Sequence, residues 1–297
     1  MVADQPPSAA ATGSIAATTQ LRRGRYSIGG VPRGRPPPRA CDHYRVSGSE
    51  QERIAREWDA GSYDRVGAPL TARGLAVLER LELVGDETVL DAGCGTGRVT
   101  AALRERLPRG RVIALDGSRA MLAQARRNLG AERVTYVHAD LGGELPLEPG
   151  SVDAIVSTST LHWVQRHDAV FRRFAEVLRP GGMLVVDCGG RGNVASLMAA
   201  LEAAGERWSP WNFTGPEQSE ADLRAAGFDP VRTWLSDDPV DVPPERLHEY
   251  LRTVMLGSHL RRLGDEEGER LVAAVARALP SPRMDDVRLN IVARRRA

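Results

Sequence analysis

The chain contains no lysine: all forty residues counted as Lys+Arg are arginine. It therefore cannot supply a Schiff-base lysine for pyridoxal phosphate, the lysine of a phosphate-cradling nucleotide loop, or a Tyr/Lys hydride-transfer pair. Cysteine is scarce as well. Cys41, Cys94 and Cys188 are far apart and form no C-x-x-C, so neither a disulfide framework nor a zinc site is indicated, and no metal is expected. No apolar run approaches the ~20 residues that a membrane helix requires. A net charge of +1 gives no overall attraction for nucleic acid. A reducing cytoplasm is the expected location.

What is present is 42% hydrophobic and 27% charged over 297 residues, enough for one large α/β domain with additions or two small domains. Residues 1–48 differ from the rest: they hold PP, PPP and SAAAT runs and six arginines from Arg22 to Arg39, with no acidic residue between Asp4 and Asp42. Such a segment cannot offset its ordering entropy, and it is expected to be a disordered, dispensable tail. A mis-assigned start, a basic tail and a transit-like peptide all fit it.

The organising stretch is residues 88–103, TVLDAGCGTGRVTAAL. Thr88, Val89 and Leu90 end a buried strand, Asp91 closes it, and Gly93, Cys94, Gly95, Thr96 and Gly97 lead straight into a helix. Three alternating glycines permit a tight turn and a close ligand approach. A dinucleotide fingerprint would place its third glycine where Arg98 stands.

Around that loop the pattern alternates. A helix through Ile54 and Trp58 is expected to stop at Gly61, and a second to cover 69–81. Strands are expected at 111–115, 133–138, 151–157, 183–188 and 231–236, with a final antiparallel strand at 287–293. Helices are expected near 100–107, after a Ser118 cap, and at 168–178, 194–204, 220–226, 245–263 and 266–279. Asp116-Gly117-Ser118 stands at the tip of the second strand and Ala139-Asp140-Leu141 at the tip of the third. An LRPGG turn spans 178–182, and an aromatic loop spans 208–213. Alternation of this kind predicts a Rossmann-like, mostly parallel seven-stranded sheet with helices on both faces and a small helical cap.

The strand, Asp91 and the G-x-G-x-G loop, with the acids at the next two strand tips, the 157–164 segment STSTLHWV and the LRPGG turn, resemble class I S-adenosylmethionine-dependent methyltransferases. The subgroup that includes trans-aconitate and malonyl-carrier-protein O-methyltransferases is nearest. That resemblance implies a 49–297 methyltransferase domain with a helical N-terminal segment (49–82), a cofactor-binding core (86–190) and an inserted helical cap (245–280).

It further implies that S-adenosylmethionine is the cofactor, held by Asp91, Gly93, Cys94, Gly95, Gly97, Asp116, Gly117, Met121, Ala139, Asp140, Leu141 and Ser157. Asp91 would orient the methionine ammonium, Asp116 the ribose and Asp140 the adenine. His162 is the candidate base, needed only for a hydroxyl acceptor. Tyr63 could close over the sulfonium. Trp163, Trp208 and Trp211 could line a pocket for a small-molecule acceptor, with a packed histidine and plain core aromatics as the alternatives. Arg65 could meet an acidic acceptor or simply be a solvated charge. O-methylation of a carboxylate or hydroxyl is the expected reaction. A cofactor-binding scaffold or regulator and an NAD-dependent oxidoreductase are the alternatives.

Overall fold

Buried β-branched runs alternate with amphipathic stretches from Thr88 onward, and this alternation builds a sheet between two helical layers. The computed structural model describes residues 57–297, with backbone alone at 68 and 69. The segment read as a tail, residues 1–48, lies outside them. So do Cys41 and Ile54.

Seven strands form the main sheet: β1 (Thr88–Ala92), β2 (Arg111–Asp116), β3 (Val134–His138), β4 (Val152–Thr158), β5 (Leu178–Gly189), β6 (Phe228–Asp237) and the last, β9 (Val287–Arg295). Their order is β3-β2-β1-β4-β5-β9-β6. The ladders from β3 to β5 are parallel, and β9 runs antiparallel between β5 and β6. The sheet is the one expected from the sequence. A small antiparallel ladder, β7 (Val240–Asp241) with β8 (Arg283–Met284), was not anticipated.

Side chains alternate across the pleat, so each strand serves two cores. Leu90, Ile113, Ile155 and Leu184 pack with Phe171 and Phe174 of α5 (His167–Val177) and Leu223 of α7 (Pro216–Ala225). Val89, Val112, Ala154 and Val185 pack with Leu78 of α2 (Ala68–Leu78) and Leu103 of α3 (Arg98–Glu105). α4 (Arg119–Leu129) adds Leu122 over Ala114 and Val134. A third apolar cluster builds the cap from α6 (Ala195–Ala203), α8 (Leu247–Tyr250), α9 (Gly257–Leu263) and α10 (Asp265–Ala278). Among the described residues, no helix is long and apolar enough to cross a membrane.

Three local expectations are corrected. Gly61 is not a helix stop but lies in the first turn of α1 (Ala60–Val66), where Asp59 accepts the Ser62 N–H at 3.0 Å as the N-cap. The LRPGG turn lies inside β5 as a bulge, because Val152 faces Leu178 while Ala154 faces Met183. Arg179 folds back on Asp153 at 2.7 Å and holds the bulge. Finally, the single helix expected at 245–263 is broken by a wide turn, Leu251–Met255, closed by the Leu256 N–H on the Leu251 carbonyl at 2.7 Å. That turn buries Leu251, Thr253, Val254 and Met255 together in the cap.

Candidate functional site

The loop after β1 is held from below. The N–H groups of Gly93 and Cys94 both donate to the Leu115 carbonyl, at 2.8 and 2.9 Å, which locks the turn against β2. Gly93, Gly95 and Gly97 have φ of 86°, 55° and 87°, a region open to glycine at little cost. A Cβ on Gly93 would lie 2.2 Å from Thr160 Oγ1, and one on Gly97 would lie 2.8 Å from Leu129. Gly95 differs from both. A Cβ there meets nothing within 4 Å, so the middle of the loop faces open space.

Three acids stand around that space, each at the end of a parallel strand, where open α/β sheets bind ligands. Asp91 is fully buried, and its Oδ2 accepts the Thr100 hydroxyl at 2.6 Å. Its Oδ1 is buried with no hydrogen-bond partner among the described residues. Burial pushes this carboxyl up to about 7. Asp116 accepts the Gly95 N–H at 2.9 Å and the Ser118 N–H at 2.8 Å, one on each oxygen, and burial raises its pKa too. A carboxylate has about four acceptor positions, so Asp116 retains capacity for a diol. Asp140 accepts the Gly142 N–H at 2.9 Å and is half-buried. Gly117 accepts a ring hydrogen bond from His138 at 3.0 Å, Ala139 donates to Asp116 O at 3.2 Å, and Met121 is buried beneath them.

A strap crosses this edge of the sheet. Asp64 of α1 accepts the Thr96 hydroxyl at 2.6 Å and Arg98 Nε at 3.1 Å, pinning α1 onto the glycine loop. Glu57 accepts the N–H groups of Arg119 and Ala120 and the Ser118 hydroxyl, so a carboxylate sits at the positive end of α4. Arg65 is exposed but pairs with Glu249 of the cap at 2.9 Å.

The strap also starts an aromatic wall. Trp58 meets the rings of Tyr63 and Trp163 edge-on at 5.5 and 5.3 Å, and Trp163 contacts His162 and Trp211. Phe213 stacks on both His162 and Trp211. Trp208 joins this wall only at its far end, through His259, whose ring centroid is 5.7 Å from that of Trp211. The Trp208 ring lies against His259 and under the Arg262 guanidinium at 5.1 Å, on the cap side.

His162, the candidate base, lies buried in the short turn after β4. The Gly189 N–H donates to its Nδ1 at 3.2 Å, so the neutral ring carries its proton on Nε2 and presents a donor. Burial and the nearby Arg288 hold its pKa well below the ordinary histidine value. Three further side chains turn into the core. Ser157 is fully buried and its hydroxyl donates to the Ala92 carbonyl at 2.7 Å, tying β4 to β1 instead of facing a ligand. The Cys94 side chain turns into the cluster of Ala114 and Leu122, so only its backbone belongs to the loop. Leu141 is likewise 6% exposed and packs on the sheet core.

Residues that the sequence did not single out also shape the site: Glu57, Asp64, Thr96, Arg98 and Thr160. The Thr96 partner of Asp64 is 32 residues away in the chain, beyond any local periodicity. Among the described residues, no cluster of His, Cys, Asp and Glu could hold a metal ion.

S-adenosylmethionine fits these residues. The unpartnered Asp91 oxygen lacks a donor that an ammonium supplies, and Gly95 leaves room for the ligand's backbone-hugging tail.

A family model described as a methyltransferase domain matches residues 89–182. The trans-aconitate 2-methyltransferase of Acidovorax ebreus is 36% identical over 130 residues, which are 44% of this chain and 49% of that protein. The malonyl-[acyl-carrier protein] O-methyltransferase of Geobacter sulfurreducens is 32% identical over 208 residues, 68% of this chain and 76% of that protein. The chain spans about half the length of the first relatives it matches. Among solved structures, phosphoethanolamine N-methyltransferase 2 of Haemonchus contortus, in complex with phosphomonomethylethanolamine and S-adenosylhomocysteine, shares the fold at a TM-score of 0.56. It is 21% identical and covers 80% of this chain and 56% of that one.

Proposed function

The chain belongs to the class I S-adenosylmethionine-dependent methyltransferases, and from that premise we propose that it methylates an oxygen of a small carboxylic acid. The observation that carries this reading is the Gly189 N–H on His162 Nδ1, which leaves the ring a donor and not a base. A carboxylate is ionised at neutral pH, so no residue has to take a proton from it. A phenol or alcohol would need a base. Two relatives named for acidic acceptors, trans-aconitate and a malonyl carrier protein, support the same class.

When bound, S-adenosylmethionine supplies a methyl group activated by its positive sulfur. The protein's share of the work is alignment and exclusion of water. Asp91 accepts from the ammonium, Asp116 from the ribose hydroxyls and Asp140 from the adenine amine. Tyr63, Trp58, Trp163, Trp211 and Phe213 form an apolar wall beside the β4 tip, keeping water from the acceptor. His162 orients the acceptor oxygen through Nε2–H.

The test is to incubate the full chain with methyl-labelled S-adenosylmethionine and a set of di- and tricarboxylates including trans-aconitate, then treat the products with alkali. Methyl esters release volatile labelled methanol, as this reading expects. Label that survives alkali, or that appears only on amines, would overturn it.

A further inference from the structure

The segment after β4 is held in an unfavourable backbone conformation, and what holds it comes from the far end of the chain. Ser159 has φ of 51°, a region that a non-glycine residue enters at a cost. Its N–H donates to the Asp187 carbonyl at 2.7 Å, and its hydroxyl accepts Arg288 Nη2 at 3.1 Å. The same Nη2 donates to Asp187 Oδ1 at 2.5 Å, with Arg288 Nε on that carboxylate at 3.1 Å. Both side chains are 4% exposed. One residue further on, the Thr160 hydroxyl donates to the Thr158 carbonyl at 2.9 Å, and its side chain fills the space against Gly93. The Trp163 N–H then closes the short turn on the Thr160 carbonyl at 2.9 Å, which sets the direction of His162 and Trp163.

We infer that Arg288 is a positioning residue for the cofactor loop: through Ser159 it sets Thr160 against Gly93 and fixes the turn that carries His162 and Trp163. The inference rests on the methyl-transfer reading for what the loop binds. A fork-shaped guanidinium suits this place because Nε and Nη2 hold the Asp187 carboxylate together while Nη2 also reaches the Ser159 hydroxyl. Lysine keeps the charge but has one nitrogen, and so cannot reproduce the two-nitrogen grip on Asp187 while reaching Ser159. Removing the cation altogether would leave Asp187 buried and unpaired and would destabilise the fold itself; the informative changes are therefore Arg288→Lys and Ser159→Ala. The second keeps the ion pair intact and removes only the link to the loop.

Calorimetric titration of S-adenosylhomocysteine into the full chain and these variants, with amide exchange of residues 158–163 read on the ligand-free proteins, tests it. Each single variant is expected to weaken binding about five- to tenfold, with faster exchange confined to that segment. The double variant should be no weaker than the weaker single one, because both break one linkage. Wild-type affinity in Ser159→Ala, or additive losses in the double variant, would overturn the assignment and leave Arg288 a structural ion pair. A folded wild type that binds no S-adenosylhomocysteine would overturn the methyl-transfer reading and this assignment with it.

Discussion

Asp91 carries a cost that Thr100 only partly offsets. One of its oxygens is buried without a partner, and burial raises its pKa to about 7, above the ordinary carboxylate value. A carboxyl raised in the folded state contributes stability fully below its unfolded pKa and loses it as pH climbs through the folded value. The ligand-free chain should therefore lose stability between about pH 4 and pH 7, an effect that Asp116 reinforces because its pKa is raised as well. An ammonium ligand favours the ionised form, so affinity should run the other way. S-adenosylhomocysteine is expected to bind on the order of tenfold more weakly at pH 5.5 than at pH 7.5, and calorimetry at both values checks it. An affinity flat across that range would show that Asp91 does not meet the ammonium. His162 gives a second residue-scale expectation. Loss of a general base costs about a hundredfold or more, whereas His162→Gln should lower turnover of a carboxylate acceptor less than about fivefold and leave its pH profile unchanged.

At the scale of elements, α1 is a strap held by few bonds. Asp64 bridges Thr96 and Arg98, and Arg246 Nη1 reaches the Arg65 carbonyl at 3.1 Å from the cap. Asp64→Asn replaces two charge-assisted hydrogen bonds by weaker ones, a loss of about 1–2 kcal/mol. Amide exchange in α1 should quicken roughly tenfold, while the sheet strands keep their protection. Equal acceleration in β1 and β4 would mean that the strap is not a separate unit. The elements also show where a sequence is legible. β1 through β5 carry strong local patterns, and each of the three acidic strand tips falls where the spacing placed it. The breaks lie where tertiary packing overrides local preference. Gly61 resembles a helix stop, yet the Asp59 cap starts a helix through it. The Leu251–Met255 stretch resembles plain helix, yet it forms a wider turn that buries four of its five side chains in the cap. Arg288 had no signal at all, since 129 residues separate it from Ser159.

At the scale of the whole molecule, separate apolar cores serve the two faces of the sheet and the cap, and the candidate site lies at the carboxyl ends of the parallel strands. The glycine loop comes from the sheet, the strap from the N-terminal helices, and the aromatic wall from the β4 tip and the 211–213 loop. The fold was readable because its strands and loops sit in short, contiguous motifs. The aromatic wall was less legible, because Trp58, Trp163 and Phe213 become neighbours only after folding, and Trp208 reaches it only through His259. The central claim is that this edge binds S-adenosylmethionine through the strand-tip acids. Its most direct measurement is calorimetric titration of S-adenosylmethionine and S-adenosylhomocysteine into the full chain and into Asp116→Ala at pH 7.5. Micromolar binding by the wild type, weakened at least a hundredfold in a variant that remains folded, is the expected result. A folded wild type that binds neither ligand, or a variant that binds both as tightly as the wild type, would contradict it.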